Sequence, residues 1–160
     1  MGKKREVLNL KICGYSVDQV AFFTDNIEHS VGEYRKSGHD SWVVDTVIAL
    51  SLMTKKKFAV ELAFNYTFLP CEFELISILR GKTVQIPSDT GVKHGLSHVG
   101  FHVDDIHEAK SKFLGQGYHL LDDIATLSHS GTSNRYRYSF FDTRKDFGFV
   151  SKLIRRVDDE

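Results

Sequence analysis

The chain has 160 residues, 41% of them hydrophobic, and its 21 Lys and Arg balance 21 Asp and Glu to a formal charge of zero. A chain this long buries about 70% of its unfolded surface, so it needs neither disulfides nor a structural metal to fold. Its charge balance excludes the basic sheath of a duplex-binding protein, and no nucleic-acid partner is expected.

The basic start Met1–Arg5 leads into no apolar h-region, and Glu6 stands where a myristoylation signal wants Ser or Thr. No apolar run approaches the ~18 residues of a membrane helix, so a cytoplasmic protein without membrane contact is expected. In chain order, a first strand is expected over 17–24, ending in the helix N-cap pair Asp25 and Asn26. A helix follows over 26–37, with Ile27, Val31 and Tyr34 as its apolar stripe and Gly38 at a left-handed C-cap. Cys13 and Cys71 are too few for a disulfide framework and, in apolar strand-like sequence, read as buried thiols. Strands come next over 42–53, 57–67 and 71–79, with turns at Lys55–Lys57 and at Leu69 and Pro70. The polar stretch 81–96, which holds the second of two prolines, reads as a linker. The second half repeats the order: strand 97–103, helix 105–116 with Ile106, Ala109 and Phe113, Gly117, then strands 118–127, 135–142 and 148–156.

The repetition extends to side chains. At an offset of 79, Val20 aligns with Val99, Phe22 with Phe101, Asp25 with Asp104, Ile27 with Ile106, Tyr34 with Phe113 and Gly38 with Gly117. Late in each half the offset becomes 78, aligning Glu74-Leu75-Ile76 with Lys152-Leu153-Ile154. The chain is a duplicated βαβββ unit, with modules over 15–80 and 96–156 inside a single domain spanning 1–160.

The duplicated unit, with the runs Ser97-His98-Val99-Gly100-Phe101-His102 and Phe73-Glu74-Leu75-Ile76, resembles the vicinal oxygen chelate superfamily, which includes glyoxalase I, methylmalonyl-CoA epimerase, bleomycin resistance proteins and extradiol dioxygenases. The resemblance implies an α+β, glyoxalase-like fold, two βαβββ modules forming a cup-shaped, partly open β-barrel. The modules close within one chain or swap between chains, so a homodimer stays open. It also implies a metal position at the cup floor, built from one residue in the first and last strand of each module: here Gln19, Glu74, His98 and Lys152. The spacing agrees, with 55 residues from Gln19 to Glu74 and 54 from His98 to Lys152.

Strand alternation places Gln19, Ala21 and Phe23 on one face, with His98, Gly100 and His102, and Glu72, Glu74 and Ile76, as their counterparts. Gln19, Glu74 and His98 suit a divalent ion such as Zn, Ni, Mn, Co or Fe. Lys152 departs from the family, whose fourth ligand is a glutamate, because an ammonium has no lone pair to give. Two readings follow. Lys152 forms an ion pair with Glu74 where a metal would lie, or it binds an anionic substrate group beside a three-ligand site. Missing a carboxylate and adding a cation both argue for the first. Glu74 and Lys152 are the catalytic candidates, and His98, Lys152, His102 and Glu72 the substrate-binding ones. His129 is expected on a loop at the mouth, and Arg135 and Arg137 face in or out together. The functional expectation is a lyase or isomerase acting on a small oxygenated or anionic metabolite through a degenerate metal site. The alternative is a metal-free binding or resistance-type module holding its ligand among Phe23, Trp42 and Phe140. An extradiol dioxygenase is disfavoured, because Lys152 takes the place of the carboxylate in its iron triad.

Overall fold

The computed structural model describes residues 10–67, 69–87 and 91–157. Its basic unit is a parallel pair of strands joined through a helix and two antiparallel strands, made twice. In the first unit β3 (Gln19–Thr24) leads to α1 (Ile27–Lys36), β4 (Val43–Ser51), β5 (Lys57–Asn65) and β6 (Glu72–Arg80). In the second, β7 (His94–His102) leads to α2 (Ile106–Gly115), β8 (His119–His129), β9 (Arg135–Asp142) and β10 (Val150–Val157). A hairpin of β1 (Lys11–Ile12) and β2 (Tyr15–Ser16) precedes them, and α3 (Arg144–Phe147) turns the chain from β9 to β10.

Both long helices start where the sequence provides a cap. The Asn26 side chain accepts from the His29 N–H at 2.9 Å, and Asp105 accepts from the Glu108 N–H at 3.0 Å. Gly38 and Gly117 follow the helices at φ 90° and 85°, a conformation that costs glycine little. No helix among the described residues is long and apolar enough to cross a membrane.

The eight long strands run β10-β7-β3-β6-β5-β4-β8-β9 around a closed barrel, β9 pairing β10 to complete it. First and last strands of each module are parallel, β3 with β6 and β7 with β10. The modules meet through two antiparallel pairs, β3 with β7 and β4 with β8. Val20 pairs with Val99, so the offset in sequence is a two-fold relation in space. The two modules therefore close one barrel within a single chain.

Alternation sorts the side chains as expected. Phe73 and Leu75 face outward under Ile27 and Val31 of α1, and Val99, Phe101 and Leu153 pack under Ile106, Ala109 and Phe113 of α2. Inside the barrel Phe23, Val47, Phe58, Val60, Leu62, Ile76, Ile124 and Phe140 fill one part. The expected linker does more than connect: Ile86 packs on that interior cluster, Gln85 is buried, and His94–Leu96 already belong to β7, while 88–90 lie outside the described residues. Cys13 and Cys71 are half-buried free thiols in turns, not buried strand residues, because the hairpin and the β6 entry place them there.

Candidate functional site

The remaining interior is polar. Gln19, Glu74, His98 and Lys152, contributed by β3, β6, β7 and β10, are each at most 3% exposed. Room for the Gln19 amide comes from Gly100, its cross-strand partner, where a Cβ would lie 2.9 Å from both Gln19 Cβ and Oε1.

The amide organises the floor. Gln19 Nε2 donates to Glu72 Oε1 at 2.7 Å and to Glu74 Oε2 at 2.9 Å, and Oε1 accepts from His98 Nε2 at 2.8 Å. Burial and the Lys152 charge hold His98 well below the ordinary histidine range, so its ring is neutral and Nδ1 keeps a lone pair. Ser97 Oγ lies 2.8 Å from that nitrogen and 2.7 Å from the Gln85 carbonyl, one hydroxyl proton facing two acceptors. Donors thus run in one direction, from His98 through Gln19 to the two carboxylates.

Those carboxylates differ. Burial pushes Glu74 up to about 7, with Glu72 adding to it and Lys152 and Gln19 opposing. Its Oε1 is buried with no hydrogen-bond partner among the described residues, 4.0 Å from His98 Nε2. Glu72 is also largely buried, but the nearby His102, the hydrogen bond from Gln19 and the Lys152 charge outweigh that burial and lower its pKa. His102 is half exposed at the rim, its Nε2 4.0 Å from Glu72 Oε2.

Lys152 corrects an expectation. No carboxylate among the described residues comes within the 4.0 Å of an ion pair to its Nζ, so the pair with Glu74 is not formed. The ammonium lies over the Tyr138 ring instead, 4.1 Å from the centroid and 5.7 Å from that of Phe140. The β9–β10 register places these rings beside it.

Above the floor is a cavity of about 260 Å³. Gln19, Glu72, Glu74, His102 and Lys152 open onto it, and stacked pairs Phe64–Tyr66 and Tyr136–Tyr138 wall it. Tyr136 and Tyr138 thus face in, and Arg135 and Arg137, exposed, face out. Of the expected aromatics, Phe140 packs edge-on against His98, Phe23 lies in the apolar part of the interior, and Trp42 is outside the barrel with Tyr34 and Phe73. His129 ends β8 rather than riding a loop, and Nδ1 bonds Asp45 Oδ2 at 2.8 Å. Nothing local in the sequence marks Asp45, a lone aspartate on β4, as the partner of a residue 84 positions on.

Gln19, Glu74 and His98 converge as the metal reading requires, but as they stand they do not fit a divalent ion. Gln19 Oε1 and the His98 Nε2 proton are spent on each other, and Lys152 adds a cation with no lone pair. Among the described residues, no group of three or more His, Cys, Asp or Glu side chains is arranged to hold a metal.

Comparison with known proteins gives the fold its relatives. A hypothetical protein from Bacillus halodurans superposes with a TM-score of 0.57 at 13% identity, covering 90% of this chain and 96% of that one. Methylmalonyl-CoA epimerase from Mycobacterium tuberculosis gives 0.56 at 13%, covering 98% and 97%. A variant of the Streptomyces coelicolor epimerase in complex with 2-nitronate-propionyl-CoA gives 0.56 at 13%, covering 87% and 95%. The barrel of two βαβββ modules is therefore the fold of these epimerases. No protein-family model matches the chain, and no curated protein matches it in sequence.

Proposed function

We propose that the cavity is the active site of an isomerase-type enzyme that moves a proton on a small carbonyl compound, with the Lys152 ammonium supplying the positive charge at its floor. The observation that carries this reading is Glu74: a buried carboxyl beside Lys152, one oxygen without a partner, and a pKa raised to about 7. A group that titrates near neutrality serves as acid and as base at the same pH.

Lys152 takes the oxyanion that develops when a proton leaves carbon next to a carbonyl, and a buried charge held on aromatic faces stabilises it more than water does. Glu72, kept ionised by Gln19 and His102, sets the orientation of the Gln19 amide and through it of Glu74. The fold neighbours act on or bind acyl-CoA compounds by their names, and a cavity of about 260 Å³ fits an acyl group with the remainder outside.

The test is exchange of the carbon-bound hydrogen in D₂O, followed by NMR, on a panel of small 2-oxo acids and acyl thioesters. Wild type should exchange at least one of them, and Glu74→Gln and Lys152→Met should lose that exchange while keeping the fold. Exchange that survives both substitutions would remove the reading. The two stacked aromatic pairs favour a second reading, a binding module for a flat amphiphile. Saturable binding from the same panel with no exchange would select it.

A further inference from the structure

The wall opposite in chain order holds a buried pair that the proposed reaction leaves unused. Asp45, 6% exposed on β4, accepts three hydrogen bonds of 2.8 Å: from His129 Nδ1 on one oxygen, and from Ser130 Oγ and the Gly131 N–H on the other. Burial raises the Asp45 pKa, but these bonds outweigh it and hold the carboxyl below its usual range. An ionised acceptor at Nδ1 fixes a proton there, so in the imidazole form the lone pair lies on Nε2. That nitrogen is buried and has no hydrogen-bond partner among the described residues. The ring lines the cavity that Glu74 and Lys152 enter, and rests on Tyr136, which stacks on Tyr138 under the Lys152 ammonium.

A polar nitrogen left buried without a partner is destabilising, and a phenyl ring would pack there without that cost. The three donors on Asp45 would be equally superfluous for packing. The arrangement has the form of an orienting carboxylate, a histidine of fixed tautomer and a nitrogen without a partner among the described residues, on a ring that lines a ligand cavity.

We propose that His129 is a general base of this cavity, oriented by Asp45 as a positioning residue, and that it takes a proton from a weakly acidic C–H of a small uncharged or anionic ligand. The step, which rests on the isomerase reading for its substrate, breaks the C–H bond next to the carbonyl and forms Nε2–H. The electron pair of that bond becomes the carbon–carbon π bond, and the carbonyl π pair moves to oxygen as an enolate facing Lys152. The imidazolium, paired with Asp45, then returns its proton to the ligand, so nothing is oxidised or reduced.

The probe is 5-nitrobenzisoxazole, whose C3 proton is removed by a base as its N–O bond breaks to give a coloured cyanophenolate. It needs a base and no oxyanion partner, so its outcome is separate from that of the exchange panel. Wild type should open the ring faster than free imidazole at the same concentration. His129→Gln should lose the rate about a hundredfold, while Lys36→Ala, on the exposed end of α1, should keep it. In intact wild type, ¹⁵N NMR should find His129 protonated at Nδ1 and bare at Nε2, and Asp45→Asn should shift that balance toward Nε2–H. A wild type no faster than imidazole, a His129→Gln variant at the wild-type rate, or a His129 protonated at Nε2 in the wild type would each overturn the proposal.

Discussion

Glu74 makes stability depend on pH in a definite direction. Its pKa is raised from 4.5 to about 7 on folding, so the stability it contributes is complete below pH 4.5 and lost as pH climbs through about 7. His98 acts oppositely: its depressed pKa gives stability that is present above pH 6.5 and lost as pH falls below that value. The two slopes oppose each other in the wild type. Glu74→Gln therefore gains ~3 kcal/mol relative to wild type between pH 4.5 and neutrality, read by urea unfolding at the two ends of that window. No such relative gain would mean that Glu74 is not protonated in the folded protein. Lys152 rests on aromatic faces rather than in an ion pair, so Lys152→Met keeps the ring contacts and removes a desolvated charge. Its Tm should equal or exceed that of the wild type, and a large fall would show that the ammonium is structural. Gly100→Ala should cost about 1–3 kcal/mol, since the new methyl displaces Gln19 or Ile154.

Elements were readable where their signals are local. Asn26 and Asp105 cap their helices as the sequence implies, and Asn26→Ala should cost about 1 kcal/mol in thermal or urea unfolding. The β1–β2 hairpin is not legible in the sequence, because its turn, Cys13-Gly14, takes positive φ at both residues, 50° and 84°, without the Asn or Asp that usually announces such a turn. The stretch 81–96 reads as a linker from its polarity, yet Ile86 and Gln85 are held by the barrel interior, a contact no local pattern encodes. The four floor residues could be located in the sequence because the resemblance implies one position in the first and last strand of each module, and the duplication gives those positions matching spacings. Their partners could not: Tyr138 under Lys152 depends on the β9–β10 register, and Asp45 against His129 on the β4–β8 pairing.

On the scale of the molecule, the barrel is held by pairings distant in sequence, β3 with β7 and β4 with β8. Loop closure precedes the contacts that reward it, so refolding after dilution from urea should take milliseconds to seconds rather than microseconds. Stopped-flow fluorescence of Trp42, which packs on Phe73 beside α1, reports it. The same two-fold places Lys152 opposite Glu74 in the duplication and puts a cation in the floor that the barrel builds from four strands. The central claim is that Lys152 supplies the charge of this site. Isothermal titration of Zn²⁺ and Ni²⁺ into wild type and into Lys152→Glu tests it most directly. Wild type should bind neither ion stoichiometrically, and Lys152→Glu, with a second carboxylate facing Gln19, Glu74 and His98, should bind one per chain. A wild type that takes up one ion per chain tightly, while retaining Lys152, would contradict the account.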